Sequence, residues 1–230
     1  MTSVDSSRIG RVILCLADKI LGGTLEILVI DAPPISCFTK ISKITVSGLD
    51  NKNNFELLNS LNYLKVSNLF FIDQHKIERI VKANNLVEKY SISKKYPSTL
   101  DIKINRAIFL AQFKKKNTHF FLGSNGKFIK DESTTQNLPY IFGDFKIQNF
   151  FELKNAIDET NFNYDEVKNL FFFKSGRWDI ETKNGILIKL PKERIKHSLR
   201  VFVDILSKDQ EILINKVDFR QHNQIIINGR

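Results

Sequence analysis

The chain reads as an α+β protein of two modules: a β-α-α-β-β unit, then a mostly antiparallel β-domain with two packed helices. Three observations predict this. Trp178 to Leu190 alternates apolar and polar residues on both sides of Asn184-Gly185, the pattern of a half-buried hairpin. Two helical spacings, Asn51 to Asn62 and Asp73 to Asn84, lie between strand-like stretches in the first half. The composition also changes at Cys37, with every Phe, Asn and aromatic residue falling after it.

That change divides the chain into three expected parts, residues 1–37, 38–107 and 108–230. The first is a leader unlike the rest, closed by the break Asp31-Ala32-Pro33-Pro34 and interrupted at Gly22-Gly23. It holds no convincing membrane span. Spanning needs about 20 mostly apolar residues. The best stretch, Arg11 to Asp31, contains Asp18, Lys19 and Glu26. Each such charge costs roughly 2.5–3.5 kcal/mol at a helix centre.

In the second part, Ile41 to Leu49 suggests a short strand ending at Gly48. Asn51 to Asn62 places Phe55, Leu57, Leu58 and Leu61 at helical spacing behind an asparagine cap. Asp73 caps a second helix, with Ile77, Ile80 and Val81 on one face. Val87 to Tyr96 alternates as a strand, Pro97-Ser98 turns it, and Leu100 to Ile104 alternates back.

In the third part, Ile108 to Phe113 and His119 to Leu122 read as strands joined through Lys114-Lys115-Lys116. Ser124-Asn125-Gly126-Lys127 is a second hairpin turn. Phe150 to Thr160 is helical, with Phe150, Leu153, Ala156 and Ile157 in register. Val167 to Phe173 is a strand, and its Phe171-Phe172-Phe173 run suggests burial on both faces. Next comes the hairpin, in which Asn184-Gly185 predicts a type I′ turn. Trp178 is its core anchor, and Arg177 and Asp179 are expected on the opposite face, paired across the sheet. Lys192 to Leu206 is an amphipathic helix, and two strands close the chain, Ile212 to Arg220 and Gln224 to Asn228.

The residues carry little that reads as chemistry. The formal charge of +10 would suit an anionic partner, but the lysines are scattered through every element and no stacking platform accompanies them. The only cysteines, Cys15 and Cys37, leave the body of the chain without a disulfide framework or a cysteine metal site. His75, His119, His197 and His222 fall in unrelated elements, without metal-ligand spacing. Ser124 does not sit on a nucleophile elbow, and Gly123 and Gly126 precede no helix that would cradle phosphate. Asp131-Glu132 and Asp158-Glu159 lie where nothing pushes their pKa values apart. No enzyme, cofactor or metal is expected. The feature most suited to function is Ile225-Ile226-Ile227, an apolar strand near the chain end. Left uncovered at a sheet edge, it would be a template for strand addition.

Several motifs occur in a set order. Ile44-Thr45-Val46-Ser47-Gly48 comes first, then Tyr96-Pro97-Ser98-Thr99-Leu100-Asp101-Ile102. Leu138-Pro139-Tyr140-Ile141-Phe142-Gly143 follows, then Gly176-Arg177-Trp178-Asp179 with its Asn-Gly turn and Lys189-Leu190-Pro191 exit, and finally Lys216-Val217-Asp218-Phe219-Arg220. Together they resemble the bacterial cell-division family FtsQ, called DivIB in Gram-positive bacteria, from about Phe38 to Gly229. The resemblance implies a POTRA module followed by an FtsQ-type β-domain. It also implies a non-catalytic divisome scaffold at the cell inner membrane, its folded part periplasmic, linking early and late division proteins. The implied partners are FtsB, complexed with FtsL, and other divisome components, with no nucleic acid. By the resemblance the partner-binding positions are Lys216, Val217, Asp218, Phe219, Arg220, Gln221, Gln224, Ile225, Ile226 and Ile227. The chain departs from the family in Phe219, where leucine is usual, and in Gln221, where some members carry an aromatic. Family members also carry one membrane span before the POTRA module. Two other readings stay open at this point. One is a POTRA-bearing envelope assembly or secretion factor, and the other is a basic nucleic-acid-binding protein.

Overall fold

The structure is a computed structural model describing residues 40–130, 137–208, 214–222 and 224–229. The expected leader, with both cysteines, lies outside the described residues, as does Asp131-Glu132. No helix among the described residues is long and apolar enough to cross a membrane. The chain divides into two compact units, the second beginning at Ala107.

The first unit runs β1 (Lys43–Ser47), α1 (Asn51–Leu61), a 3-10 turn (Asn62–Val66), α2 (Gln74–Ala83), β2 (Val87–Lys95) and β3 (Thr99–Arg106). This is the expected β-α-α-β-β order. Its sheet has the order β1-β3-β2, with β1 parallel and β2 antiparallel to β3. Asp73 caps α2 as expected, its carboxylate accepting from the His75 and Lys76 N–H groups. The cap of α1 is a correction. Asp50, not an asparagine, accepts from the Asn53 N–H at 3.2 Å, and Asn51 is already helical. Leu57 and Leu61 of α1 and Ile77 and Val81 of α2 bury against Ile44, Leu100, Ile102 and Ile104. Gly48 is required where β1 ends. Its φ is +111°, and a Cβ there would stand 1.8 Å from the Ile104 carbonyl oxygen.

The second unit contains β4 (Phe109–Lys115), β5 (Thr118–Gly123), β6 (Phe128–Ile129), β7 (Tyr140–Phe142), α3 (Ile147–Asp158), β8 (Val167–Phe172) and β9 (Trp178–Thr182). It continues through β10 (Leu187–Lys189), α4 (Ile195–Lys208), β11 (Ile214–Asp218) and β12 (Ile226–Gly229). One sheet holds all nine strands, in the order β12-β11-β10-β9-β8-β7-β4-β5-β6. Most neighbours are antiparallel, while β10–β11, β7–β8 and β4–β7 are parallel. α3 and α4 cover one face. Phe150, Leu153 and Ile157 of α3 and Leu199 and Phe202 of α4 pack with Ile141, Leu170, Ile180, Ile188 and Val217 of the sheet. Trp178 is buried in this core, its ring 4.7 Å from that of Phe172.

Four local expectations change. Only Gly185 of the Asn184-Gly185 pair has a positive φ. Its N–H donates to the Thr182 carbonyl, and the Thr182 N–H to the Ile186 carbonyl, so the loop has three residues and ends in a left-handed glycine. The pair of positive φ values that defines a type I′ turn falls instead at Lys116-Asn117, where the lysine run ends and Lys115 pairs with Thr118. Phe171, Phe172 and Phe173 are half-buried rather than covered on both faces, because the helices cover only one. Helix α4 starts at Ile195, after a left-handed Arg194, whereas α3 starts three residues before Phe150, its Lys146 N–H donating to the Asn149 side chain.

Candidate partner-binding edge

The expected site residues are brought together at one margin of the nine-stranded sheet. Helix α4 carries the chain across from β10 so that β11 can pair parallel to it. The pairing is extended past β11 by the Phe219 N–H, which donates to the Lys189 carbonyl at 2.9 Å. The chain then reverses and β12 pairs antiparallel to β11, with Val217 opposite Ile227 and Asp218 opposite Ile226. At the reversal Arg194 lies 3.0 Å from Nδ1 of His222, linking the start of α4 to the turn.

The margin has two layers. In the inner one, Val217, Asp218 and Phe219 are buried, and β11 is paired on both sides, so its side chains and ladder groups are engaged within the unit. Lys216 is half-buried. In the outer layer, Arg220, Gln221, Gln224 and all of β12 are exposed. Ile225, Ile226 and Ile227 are each 44–45% exposed, and among the described residues no strand pairs with the free side of β12. Among the described residues β12 is therefore an unpaired, exposed apolar edge, the arrangement that accepts an added strand through main-chain hydrogen bonds.

A row of residues crosses the helix-free face to this edge: Phe142, Phe171, Asp179, Lys189, Asp218 and Ile226 stand opposite one another in register. Asp218 is clamped by Arg220, whose Nε donates to both carboxylate oxygens at 2.8 and 3.0 Å, while the Arg220 backbone N–H donates to Oδ1 at 3.0 Å. The guanidinium hydrogen bond, outweighing burial, holds the Asp218 carboxyl below the usual range. Asp179 behaves oppositely, since burial pushes its carboxyl up against the pull of Arg177, Lys189 and Arg220. It lies on the face opposite Trp178, as expected, but is only 4% exposed. Arg177 Nε stands 3.9 Å from Asp179 Oδ1, and neither atom has a hydrogen-bond partner among the described residues. The Arg177 guanidinium lies over the Phe173 ring at 4.4 Å instead. Glu181, next along the face, is held low by Asn169 and Lys168. Strand alternation separates Asp179 from Trp178 in the sequence, but only the cross-strand register reveals that Lys189 stands opposite it, with Asp218 one strand further on. No group of three or more His, Cys, Asp or Glu among the described residues is placed to hold a metal ion.

The second unit as far as its closing motif, and the module before it, match known domains. Residues 39–105 match the FtsQ-type POTRA domain, and residues 111–220 match the C-terminal domain of the cell division protein FtsQ/DivIB. The chain belongs to the FtsQ/DivIB family. It is 24% identical over 192 residues to the cell division protein FtsQ of Rickettsia bellii, which covers 82% of this chain and 72% of that protein. The FtsQ of Rickettsia typhi is 25% identical over 198 residues with the same shares. The cell division protein DivIB of Bacillus subtilis is 29% identical over 102 residues, covering 44% of this chain and 38% of that one. Membership of the FtsQ/DivIB family makes this a cell-division protein, built as a POTRA module followed by a β-domain.

Proposed function

We propose that the chain is a non-catalytic divisome scaffold that captures FtsB, complexed with FtsL, by strand addition at β12. The observation that carries this reading is the edge itself: the last strand of the sheet, apolar, half-exposed on both faces and unpaired on its outer side among the described residues. Main-chain hydrogen bonds would supply affinity, and the alternating side chains of Ile225, Ile226 and Ile227 would supply pockets. Arg220, Gln221 and Gln224 form the polar rim, whereas Val217, Asp218 and Phe219 hold β11 in place beneath it. Lys216 is the half-buried member of the set, beside Asn228 in register. The binding domain is taken as residues 108–230 and the POTRA module as 38–107. By family analogy the folded part works on the periplasmic side of the cell inner membrane, joining early and late division proteins.

Calorimetric titration of the chain with the extracytoplasmic segments of FtsB and FtsL tests this, beside an Ile226→Pro variant. Proline removes a backbone donor and stiffens the strand, so it disrupts pairing at an edge. Saturable binding that the variant weakens supports the reading. Binding of equal strength in both, or none in either, would overturn it.

A further inference from the structure

The first module has an exposed aromatic end that strand addition at β12 does not use. Val66, the last residue of the 3-10 turn, is 83% exposed, Phe70 and Phe71 beyond it are 53% and 87% exposed, and in the β2–β3 turn Tyr96 is 60% exposed. Phe70 and Tyr96 meet across the two segments, Phe71 follows Phe70 in the chain, and Val66 closes the 3-10 turn. The Phe70 and Tyr96 rings stand 5.0 Å apart, and Lys94 Nζ donates to the Phe70 carbonyl at 3.4 Å. The described chain enters the module at the same end. Lys40 bridges to Asn68, the Ile41 N–H donates to the Ser67 carbonyl, and the Ser42 and Ser98 hydroxyls lie 2.7 Å apart.

The charges here are one-sided. Lys40, Lys43, Lys65, Lys94 and Lys95 are all exposed. Of the nearby carboxylates, Asp101 pairs with Lys95 at 2.6 Å and Asp73 caps α2. Segments 40–43, 62–72 and 94–100 contain no acidic residue. Loops and a turn build the patch, so it presents no continuous strand edge for main-chain pairing. Its chemistry is that of the bilayer interface, where aromatic rings sit at headgroup depth and lysines meet anionic phospholipid. An apolar cluster of this kind, left bare in a water-exposed module, marks an interaction surface.

We propose that this end of the module rests on the surface of a bilayer containing anionic phospholipid. Val66, Phe70, Phe71 and Tyr96 enter the headgroup layer, and Lys40, Lys43, Lys65 and Lys94 face the lipid phosphates. Residues 1–39 then join the module at the face that meets the membrane.

The test uses the full chain with Cys15→Ser and Cys37→Ser, carrying a polarity-sensitive fluorophore at Phe71→Cys. A second protein carries it at Lys52→Cys, near the start of α1 and so at the opposite end of β1 from the patch. Each is mixed with vesicles of phosphatidylcholine alone or with phosphatidylglycerol added. The expected result is a blue shift and brightening at position 71 that requires phosphatidylglycerol, with no response at position 52. Adding Val66→Ser should weaken the position-71 response, and Lys65→Gln with Lys94→Gln should remove its dependence on phosphatidylglycerol. Adding Phe70→Ser should lower the apparent partitioning by roughly tenfold, the order expected for one buried aromatic side chain. A silent probe at position 71 would overturn the proposal. Equal responses at both positions would also overturn it, as non-specific adsorption.

Discussion

Replacing Ile225, Ile226 and Ile227 together with threonine separates the binding function of the edge from its fold. Threonine keeps the β-branch and the strand preference, so the backbone of β12 should stay in place while its apolar surface is reduced. The three isoleucines keep 44–45% of their surface in the free protein. Full burial of such a side chain is worth about 1.5–3 kcal/mol, so covering the remaining half of three comes to about 2–4 kcal/mol. At about 1.4 kcal/mol per decade, the triple variant should bind FtsB–FtsL roughly 30- to 700-fold more weakly. Its stability should change little, by at most about 1.5 kcal/mol for three surface substitutions at about 0.5 kcal/mol each. Calorimetric titration gives the first quantity and urea denaturation the second. Affinity at the wild-type level in a folded triple variant would refute the assignment of these side chains to the interface. Lost affinity together with lost stability would refute the claim that they are dispensable to the fold.

Three further predictions address the scaffold beneath the edge. Trp178→Ala should cost about 3–5 kcal/mol, because the indole is fully enclosed beside Phe172 and Phe145 and the cavity cannot collapse across a sheet–helix core; a urea midpoint unchanged in far-ultraviolet circular dichroism would refute this. Gly48→Ala should cost about 3 kcal/mol or more in the first unit, where the new methyl meets the Ile104 carbonyl at a backbone angle alanine avoids; normal thermal stability would contradict it. Asp179→Asn should alter the pH dependence of stability. A carboxyl raised by burial adds stability below its ordinary pKa and loses it as pH climbs through the raised value, so the variant should gain on the wild type as pH rises from the ordinary carboxyl range through the raised one. A relative loss over that interval would mean that Arg177, Lys189 and Arg220 outweigh burial.

Periodicity and turn chemistry made most of the fold legible in the sequence. Asp73 marked a helix start, and the alternation from Trp178 to Leu190 marked a hairpin with its anchor inward. Both signals are local and act within a few residues. Elsewhere the deciding contact was either equally local but ambiguous or far away in sequence. Asn184-Gly185 can serve a two- or a three-residue loop, and bonding by Thr182 selected the longer one. Asp179 alternates as a surface residue would, yet it is enclosed opposite Lys189, with Asp218 of β11 brought to the far side of that lysine by tertiary register alone. The margin itself was foreshadowed by three consecutive isoleucines near the chain end. Their exposure was not, since a run of that kind is equally suited to a buried strand. The division of the set into a buried β11 layer and an exposed β12 layer followed from sheet order alone.

Amide hydrogen exchange on the full chain, with and without the FtsB–FtsL segments, tests the central claim most directly. Strand addition predicts that outward-pointing amides of residues 225–229 become protected on binding. Amides of β2, a strand in the other unit, should keep their free-state rates. Tight complex formation with unchanged exchange at β12 would contradict the account and place the binding surface elsewhere on the protein.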